Sequence, residues 1–156
     1  MNNVDKWGLD HVMTNVDALK KSLPVKLASQ ARDYFLKAFQ NQAWNGQPWR
    51  EVNRRKPGTL AYKYPIKKDL SRRIRPIELG RTGNERRAVN NAIVSQTWPL
   101  IRFVVDMTAY GASANYAKYQ NEGTPRMVAR TFMGHTEELG HMQRELIDSE
   151  VNRIWK

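Results

Sequence analysis

Apolar residues recur every three or four positions in the segment that follows Pro24, which is the spacing of an amphipathic helix. Ser22 can cap this helix, and Pro24 suits its first turn. Gly46 and Pro48 then end it, so the pattern predicts a helix over residues 24–43. Similar spacing upstream predicts a shorter helix that meets the first at Pro24. The predicted apolar face comprises Leu27, Ala28, Ala31, Tyr34, Phe35, Ala38 and Phe39.

Short runs that contain Val, Ile and Phe follow in the second half of the chain. Residues 88–95 and 100–106 have the length and β-branched content of strands, and Thr97-Trp98-Pro99 indicates a tight connection. Residues 109–119 are rich in Ala, Gly and Ser. We interpret them as a third strand followed by a turn or a short helical piece.

A last helix is predicted over residues 136–156. Thr136 can cap it, Glu137 and Glu138 favour its positive end, and its apolar positions again have helical spacing. The order of elements predicts a single α+β domain spanning residues 1–156. In it, the long N-terminal helix and the C-terminal helix pack on a small antiparallel β-sheet within residues 88–119, and a long basic loop connects them.

That loop, predicted over residues 50–80, has no sustained period and is interrupted by proline and glycine. Residues 50–87 contain 13 Lys or Arg and four acidic residues, so they carry +9 of the chain's net charge of +11. Such charge favours phosphate or an acidic protein surface as partner. The loop also contains apolar and aromatic residues that a purely electrostatic lining would not need, which favours docking on protein. These residues are Tyr62, Tyr64, Ile66 and Ile74.

Sites for catalysis are missing from the sequence. Cysteine is absent, which excludes disulfide frameworks, thiol nucleophiles and cysteine-based zinc sites. His135 and His141 are six residues apart and fall on different helix faces. No nucleophile elbow, phosphate-cradling loop or dinucleotide fingerprint occurs. We therefore expect no enzyme, no cofactor, no metal and, without a long apolar run or a leader pattern, no membrane partner.

Residues 79–83, Leu-Gly-Arg-Thr-Gly, include the Gly-x-x-Gly core with which KH domains clamp a nucleic-acid backbone. A KH loop joins two helices and precedes apolar residues at helical spacing, whereas Arg86 stands at such a position and Pro76 lies upstream. Contact with phosphates needs charge but no fixed motif. A nucleic-acid-binding module that uses the basic 50–87 segment is therefore the alternative function.

Five short motifs follow one another between about residue 25 and residue 150. They are Phe35 to Phe39, Asn-Gly-Gln-Pro-Trp at 45–49, Leu-Gly-Arg-Thr-Gly at 79–83, Asn-Tyr-Ala-Lys-Tyr-Gln-Asn-Glu-Gly-Thr at 115–124, and Arg-Thr-Phe-Met-Gly at 130–134. In this order they resemble the bacteriophage virion morphogenesis family, the tail completion or neck proteins of tailed phages. Many relatives carry Leu two residues after the second glycine of the third motif. This chain has Glu85 there, so we expect different local packing.

The resemblance implies a structural virion protein that forms a ring at the phage head-tail joint or the head-proximal tail end and stabilises that attachment. Subunits of a ring meet through two different faces. The implied ring is a hexamer on the tail side or a dodecamer on the head side. Its implied partners are other phage neck, connector and tail proteins, and packaged DNA where the loop faces the lumen. The protein would be made in the host bacterial cytoplasm and reside in the virion.

Candidate contact residues combine cations and aromatics, the types enriched in binding hot spots. They are Arg54, Arg55, Tyr62, Tyr64, Lys67, Lys68, Arg72, Arg73, Arg75, Arg130 and Phe132.

Residues of the motifs have predicted structural roles. Trp49 is expected to pack on the face formed by Phe35 and Phe39, and glycines at positions 83 and 123 allow turns that a side chain would obstruct. The set comprises Gly46, Trp49, Thr82, Gly83, Tyr116 and Gly123.

Overall fold

The computed structural model describes residues 8–65, 68, 70–77, 83–97, 100–111, 116–125 and 127–155. Among these residues, short 3-10 turns accompany the helices and strands at Asn53–Arg55, Leu70–Arg73 and Thr108–Tyr110. A long N-terminal helix, a C-terminal helix and a small antiparallel sheet confirm the α+β class. In chain order the elements are α1 (Leu9–Asn41), β1 (Ala43–Trp44), β2 (Gln47–Pro48), α2 (Leu60–Lys63), α3 (Asn84–Asn90), β3 (Ile93–Thr97), β4 (Leu100–Val104), α4 (Tyr116–Glu122) and α5 (Glu137–Asn152).

The N-terminal helix is one element, not two. α1 runs through Pro24, whose side chain is buried, so the prediction of a helix that begins at residue 24 is wrong. Proline removes one backbone donor from a helix interior. Leu23 and Ala28 on either side of it are buried, and this burial favours continuation of the helix.

The chain forms two compact units, and α1 contributes to both. Unit 1 contains the residues up to 34, residues 93–104 and the residues from 135 onward. Unit 2 contains residues 35–92 and 105–134. All described candidate contact residues belong to unit 2.

In unit 1, polar contacts tie α5 to α1. Thr136 caps α5, as predicted, because its Oγ1 accepts a hydrogen bond from the Leu139 N–H at 3.1 Å. The same hydroxyl donates to the Tyr34 hydroxyl at 3.0 Å. Farther along, the Lys26 ammonium donates to the Glu150 carboxylate at 2.6 Å. The core of the unit contains apolar residues of both helices and one that follows α5, namely Leu23, Ala28, Ala31, Leu139 and Ile154.

Strands β3 and β4 form the predicted hairpin. They pair antiparallel from Ile93 opposite Val104 to Thr97 opposite Leu100. The tight connection falls on residues 98 and 99, which lie outside the described residues. The sheet therefore spans residues 93–104 and is narrower than the predicted 88–119 region.

The beginning of the predicted first strand is a helix. Glu85, Ala88 and Val89 in α3 are buried at a spacing of three and four residues, which is a helical face. Gly83 caps the helix with a φ of 71°, in the left-handed region that favours glycine. Val89 has strand propensity, but burial on the helical face outweighs it. The strand begins only at Ile93.

The predicted third strand is also absent from the described part of residues 109–119. Thr108–Tyr110 forms a 3-10 turn, which Asp106 stabilises by accepting hydrogen bonds from the Thr108 N–H and hydroxyl at 2.8 Å and 2.6 Å. Residues 112–115 are not described. α4 follows from Tyr116, so the expected short helical piece is confirmed.

Aromatic residues form the core of unit 2 around Phe39. The Trp49 ring packs edge-on against it with 5.7 Å between centroids, and the Phe132 ring lies at 5.2 Å. The Trp49 indole N–H donates to the Thr131 carbonyl at 2.8 Å. The predicted packing of Trp49 on the helix is thus confirmed at Phe39. Phe35 pairs instead with Trp44, at 6.0 Å.

The end of α1 is followed by a tight turn. Asn45 and Gly46 both have positive φ, 47° and 74°, as a two-residue hairpin loop requires. The turn pairs β1 with β2 and brings Trp49 back to the end of α1. There the backbone N–H of Trp49 donates to the Gln42 carbonyl at 2.8 Å.

Candidate partner interface

The basic segment of residues 50–77, here called the basic excursion, contains local structure in its described part. The 3-10 turn Asn53–Arg55, α2 and the 3-10 turn Leu70–Arg73 follow one another. The Thr59 hydroxyl caps α2 by accepting from the Tyr62 N–H at 3.2 Å, and it donates to the Asn53 carbonyl at 2.6 Å. Single helical turns have no sustained period, which is why the sequence pattern indicates only a loop.

Arginines close the basic excursion on itself. Arg54 donates to the Pro76 carbonyl at 2.8 Å, and Arg55 donates to the Arg75 carbonyl at 2.6 Å. These bonds join the two ends of the excursion. The predicted contact residues Arg54, Arg55 and Arg75 are therefore brought together, and two of them use donors to hold the local fold.

A second arginine contact lies within the excursion. The Arg73 guanidinium lies 4.1 Å from the centroid of the Tyr62 ring and donates to the Tyr62 carbonyl at 2.5 Å. Tyr62 is half-buried as a result. This pair connects α2 with the second 3-10 turn, and a cation over an aromatic face is attractive.

In the described part of the excursion, four large apolar side chains are exposed to solvent. Leu60 is 76% exposed, Tyr64 75%, Leu70 59% and Ile74 83%. We call them the apolar set. The exposed Lys63 lies within the same stretch. Isolated exposed apolar residues are ordinary, so the presence of several in one short segment makes that segment a candidate interaction surface.

The remaining cations of the predicted site have different surroundings. Lys68 is exposed, with a left-handed φ of 54°, and Arg75 is exposed and donates to the Ser71 hydroxyl at 3.0 Å. Lys67, Thr82, Ile66 and the side chain of Arg72 lie outside the described residues.

Phe132 is a core residue and not a surface contact. Its side chain has no exposed area, and it packs on Phe39. The backbone of this segment is fixed because the N–H groups of Phe132 and Met133 both donate to the Asn121 side-chain oxygen, at 2.9 Å and 3.0 Å. Arg130 is half-buried and donates to the Arg50 carbonyl at 3.3 Å. Burial lowers the pKa of the Arg130 guanidinium.

Three residues of the site escape sequence reasoning. The apolar set includes Leu60 and Leu70, which are not among the predicted contact residues, although Leu60 and Tyr64 are four residues apart. Asn121 is the third, because nothing in a sequence shows that one amide will bind two distant N–H groups. Tyr116, predicted as structural, is half-buried, and its hydroxyl accepts from the Gln120 amide at 2.9 Å.

Replacing Gly123 by Ala is expected to lower the free energy of unfolding by about 1–3 kcal/mol. Gly123 has a φ of 81°, and a Cβ there would lie 2.8 Å from the Ala129 nitrogen. Gly111→Ala is the matched control, because its φ is 71° but nothing lies within 4 Å of the added carbon. Chemical denaturation of both variants measures the difference. Equal losses would show that the contact with residue 129 is unimportant.

The described part of the interface offers charge and apolar surface, with no arrangement for metal chemistry. No group of three or more His, Asp or Glu side chains in the described ranges is placed to hold a metal ion. Among the helices that the structure describes, none combines the length and the apolar character needed to cross a membrane. In comparisons with known proteins, no family model, curated protein or solved structure matches the chain.

Proposed function

We propose that the chain is a structural protein of a phage particle, which assembles into a ring at the head-tail joint or the head-proximal end of the tail. The basic excursion docks on an acidic surface of a neighbouring protein. The observation that carries this role is the apolar set, exposed among cations within one folded segment. The centre of a protein interface is apolar and its rim polar, whereas a lining for DNA needs charge alone.

The sequence supports the virion role through the five ordered motifs that resemble the tail completion family. In the structure, Trp49 and Gly46 of the second motif act together, since the turn at Gly46 returns Trp49 to α1. The second motif thus holds the beginning of the basic excursion at the end of α1. A hexamer or a dodecamer is the proposed assembly, with phage neck, connector and tail proteins as neighbours.

We expect a phage that lacks this gene to fill its heads with DNA but fail to join stable tails. Complementation with the double variant Tyr64→Ser and Ile74→Ser is expected to lower the yield of infectious particles by about tenfold or more, because one interface loses two apolar anchors. Met13→Ser with Val25→Ser is the matched control, since these exposed apolar residues lie outside the excursion. Plaque titre and electron microscopy of the particles are the measurements.

Normal infectious particles without the gene would overturn the virion role. Equal losses from the two double variants would overturn the role of the apolar set. The nucleic-acid alternative would be favoured if purified protein binds duplex DNA with an affinity that falls steeply with salt, and if Lys67→Ala with Lys68→Ala reduces that slope.

A further inference from the structure

A cleft of about 680 Å³ opens in unit 2 at the base of the basic excursion. Its apolar floor includes Leu36, Phe39 and Ile77, and its rim includes Arg55, Arg86 and Arg87. The volume lies within the range of pockets that bind ligands, roughly 300–1,000 Å³. This cleft is separate from the apolar set, none of whose members lines it.

The floor of the cleft is held in place by one side chain. The Gln42 amide donates to the Ile77 carbonyl at 3.0 Å and to the Phe39 carbonyl at 2.7 Å, while its oxygen accepts from the Ile77 N–H. Both backbone groups of Ile77 are thereby fixed to the end of α1. A preformed floor lowers the entropic cost of binding.

The rim of the cleft is positively charged. Arg86 and Arg87 are exposed on α3, and the Arg87 guanidinium lies 5.7 Å from the centroid of the Tyr110 ring. Arg55 is within 3.4 Å of the Glu51 carboxylate. No acidic residue is among the described residues that line the cleft. Guanidinium groups in such a rim suit carboxylates, which they bind through two parallel hydrogen bonds.

We propose that this cleft binds a short acidic segment of a partner protein, with an apolar side chain of the segment on the floor and its carboxylates on the arginine rim. A single-stranded nucleic acid fits less well, because its bases bind non-specifically by stacking on exposed aromatic rings. The aromatic residue among the described lining is Phe39, only 7% exposed, and Trp49 and Phe132 already pack against its ring. Binding of such a segment requires no assembled particle, because the floor and the rim of the cleft belong to one copy of the chain.

The test uses the purified full chain and a fluorescein-labelled peptide with a central leucine-phenylalanine pair flanked by glutamates. Fluorescence anisotropy is expected to show saturable binding. A control peptide with serines in place of the apolar pair is expected to bind about tenfold more weakly, and Arg86→Glu with Arg87→Glu to weaken the apolar peptide by about tenfold or more. Lys118→Glu with Arg144→Glu is the matched control, since it makes the same change of charge on exposed helical residues outside both the cleft and the basic excursion.

Circular dichroism checks that each variant is folded. If the double variant is unfolded, the binding test uses Arg86→Glu alone. Absence of binding by the wild-type chain would overturn the proposal. So would equal binding of the two peptides, or equal losses from the two double variants, because both results indicate unspecific attraction. Tighter binding of an oligothymidylate probe than of the peptide, lost in the Arg86 variant, would show a nucleic-acid site instead.

Discussion

Replacing Glu85 by Leu is expected to stabilise unit 2 by several kcal/mol at pH 8 and to remove most of its pH dependence. The Glu85 side chain has no exposed area, and neither carboxyl oxygen has a hydrogen-bond partner in the described structure. Burial raises the pKa of this carboxyl from 4.5 to about 8. Leucine would occupy the buried position without a group that must lose its hydration.

The direction of the effect follows from proton binding. Between pH 4.5 and pH 8 the folded state holds a proton on Glu85 that the unfolded state has lost. Ionisation of Glu85 therefore does not reduce the free energy of unfolding below pH 4.5, and that free energy falls as the pH rises to about 8. At about 1.4 kcal/mol per pH unit, the whole decrease is of the order of 5 kcal/mol.

Hydrogen exchange of residues 84–90, followed by mass spectrometry from about pH 5 to about pH 9, measures this dependence locally. After correction for intrinsic exchange, protection in the wild type is expected to fall with pH, whereas Glu85→Leu is expected to remain nearly constant. Glu122→Leu is the control, because Glu122 is exposed in the same unit. The same slope in the wild type and in Glu85→Leu would show that Glu85 does not govern the stability of this region.

Replacing Phe132 by Ala is expected to lower the free energy of unfolding by about 3–5 kcal/mol. The ring is fully buried against Phe39, and Asn121 fixes the backbone at this position, so the cavity cannot close easily. Phe132→Leu is expected to cost less, because most of the volume remains. Denaturant titration followed by tryptophan fluorescence measures the change, since Trp49 packs on the same Phe39 ring as Phe132.

Val128→Ala provides the control for this prediction, since Val128 is 40% exposed in the same segment and its loss should change stability by less than about 0.5 kcal/mol. A similar small effect for Phe132→Ala would contradict the assignment of Phe132 to the core. It would also restore this residue as a candidate partner contact.

Local patterns predicted the elements that depend on neighbouring residues. The apolar face of α1, the cap at Thr136 and the return of Trp49 to Phe39 all involve short sequence distances or strong residue preferences. Pro24 misled the prediction because its preference for a first turn is real, but the burial of the helix on both sides of it cannot be seen locally. Tertiary packing therefore decides whether the helix continues through Pro24.

The candidate site was predicted only by residue type. Charge and aromatic content indicated the excursion as an interaction surface, but not which cations would be used internally. Arg73 lies over Tyr62, eleven residues earlier, and Arg54 reaches the Pro76 carbonyl twenty-two residues later. Such distances leave no period in the sequence. The floor of the cleft could not be predicted for the same reason, since the hydrogen bonds that hold it join Gln42 and Ile77, which are 35 positions apart.

Glu85 lies on the same buried helical face of α3 as Ala88 and Val89. The surroundings of this position are therefore apolar, whereas its residue is polar. A substitution to leucine would place an apolar side chain on that face and test the packing directly.

The arginine contacts of the excursion make its charge and its shape inseparable. Replacing a guanidinium that holds a carbonyl releases that carbonyl, so losing the charge at Arg54 or Arg55 also removes part of the hydrogen bonding that joins the two ends of the segment. Added salt acts differently, since it screens exposed cations such as Lys63 and leaves short hydrogen bonds largely intact. High ionic strength should thus release a partner from a segment that keeps its form, ready to bind again on dilution.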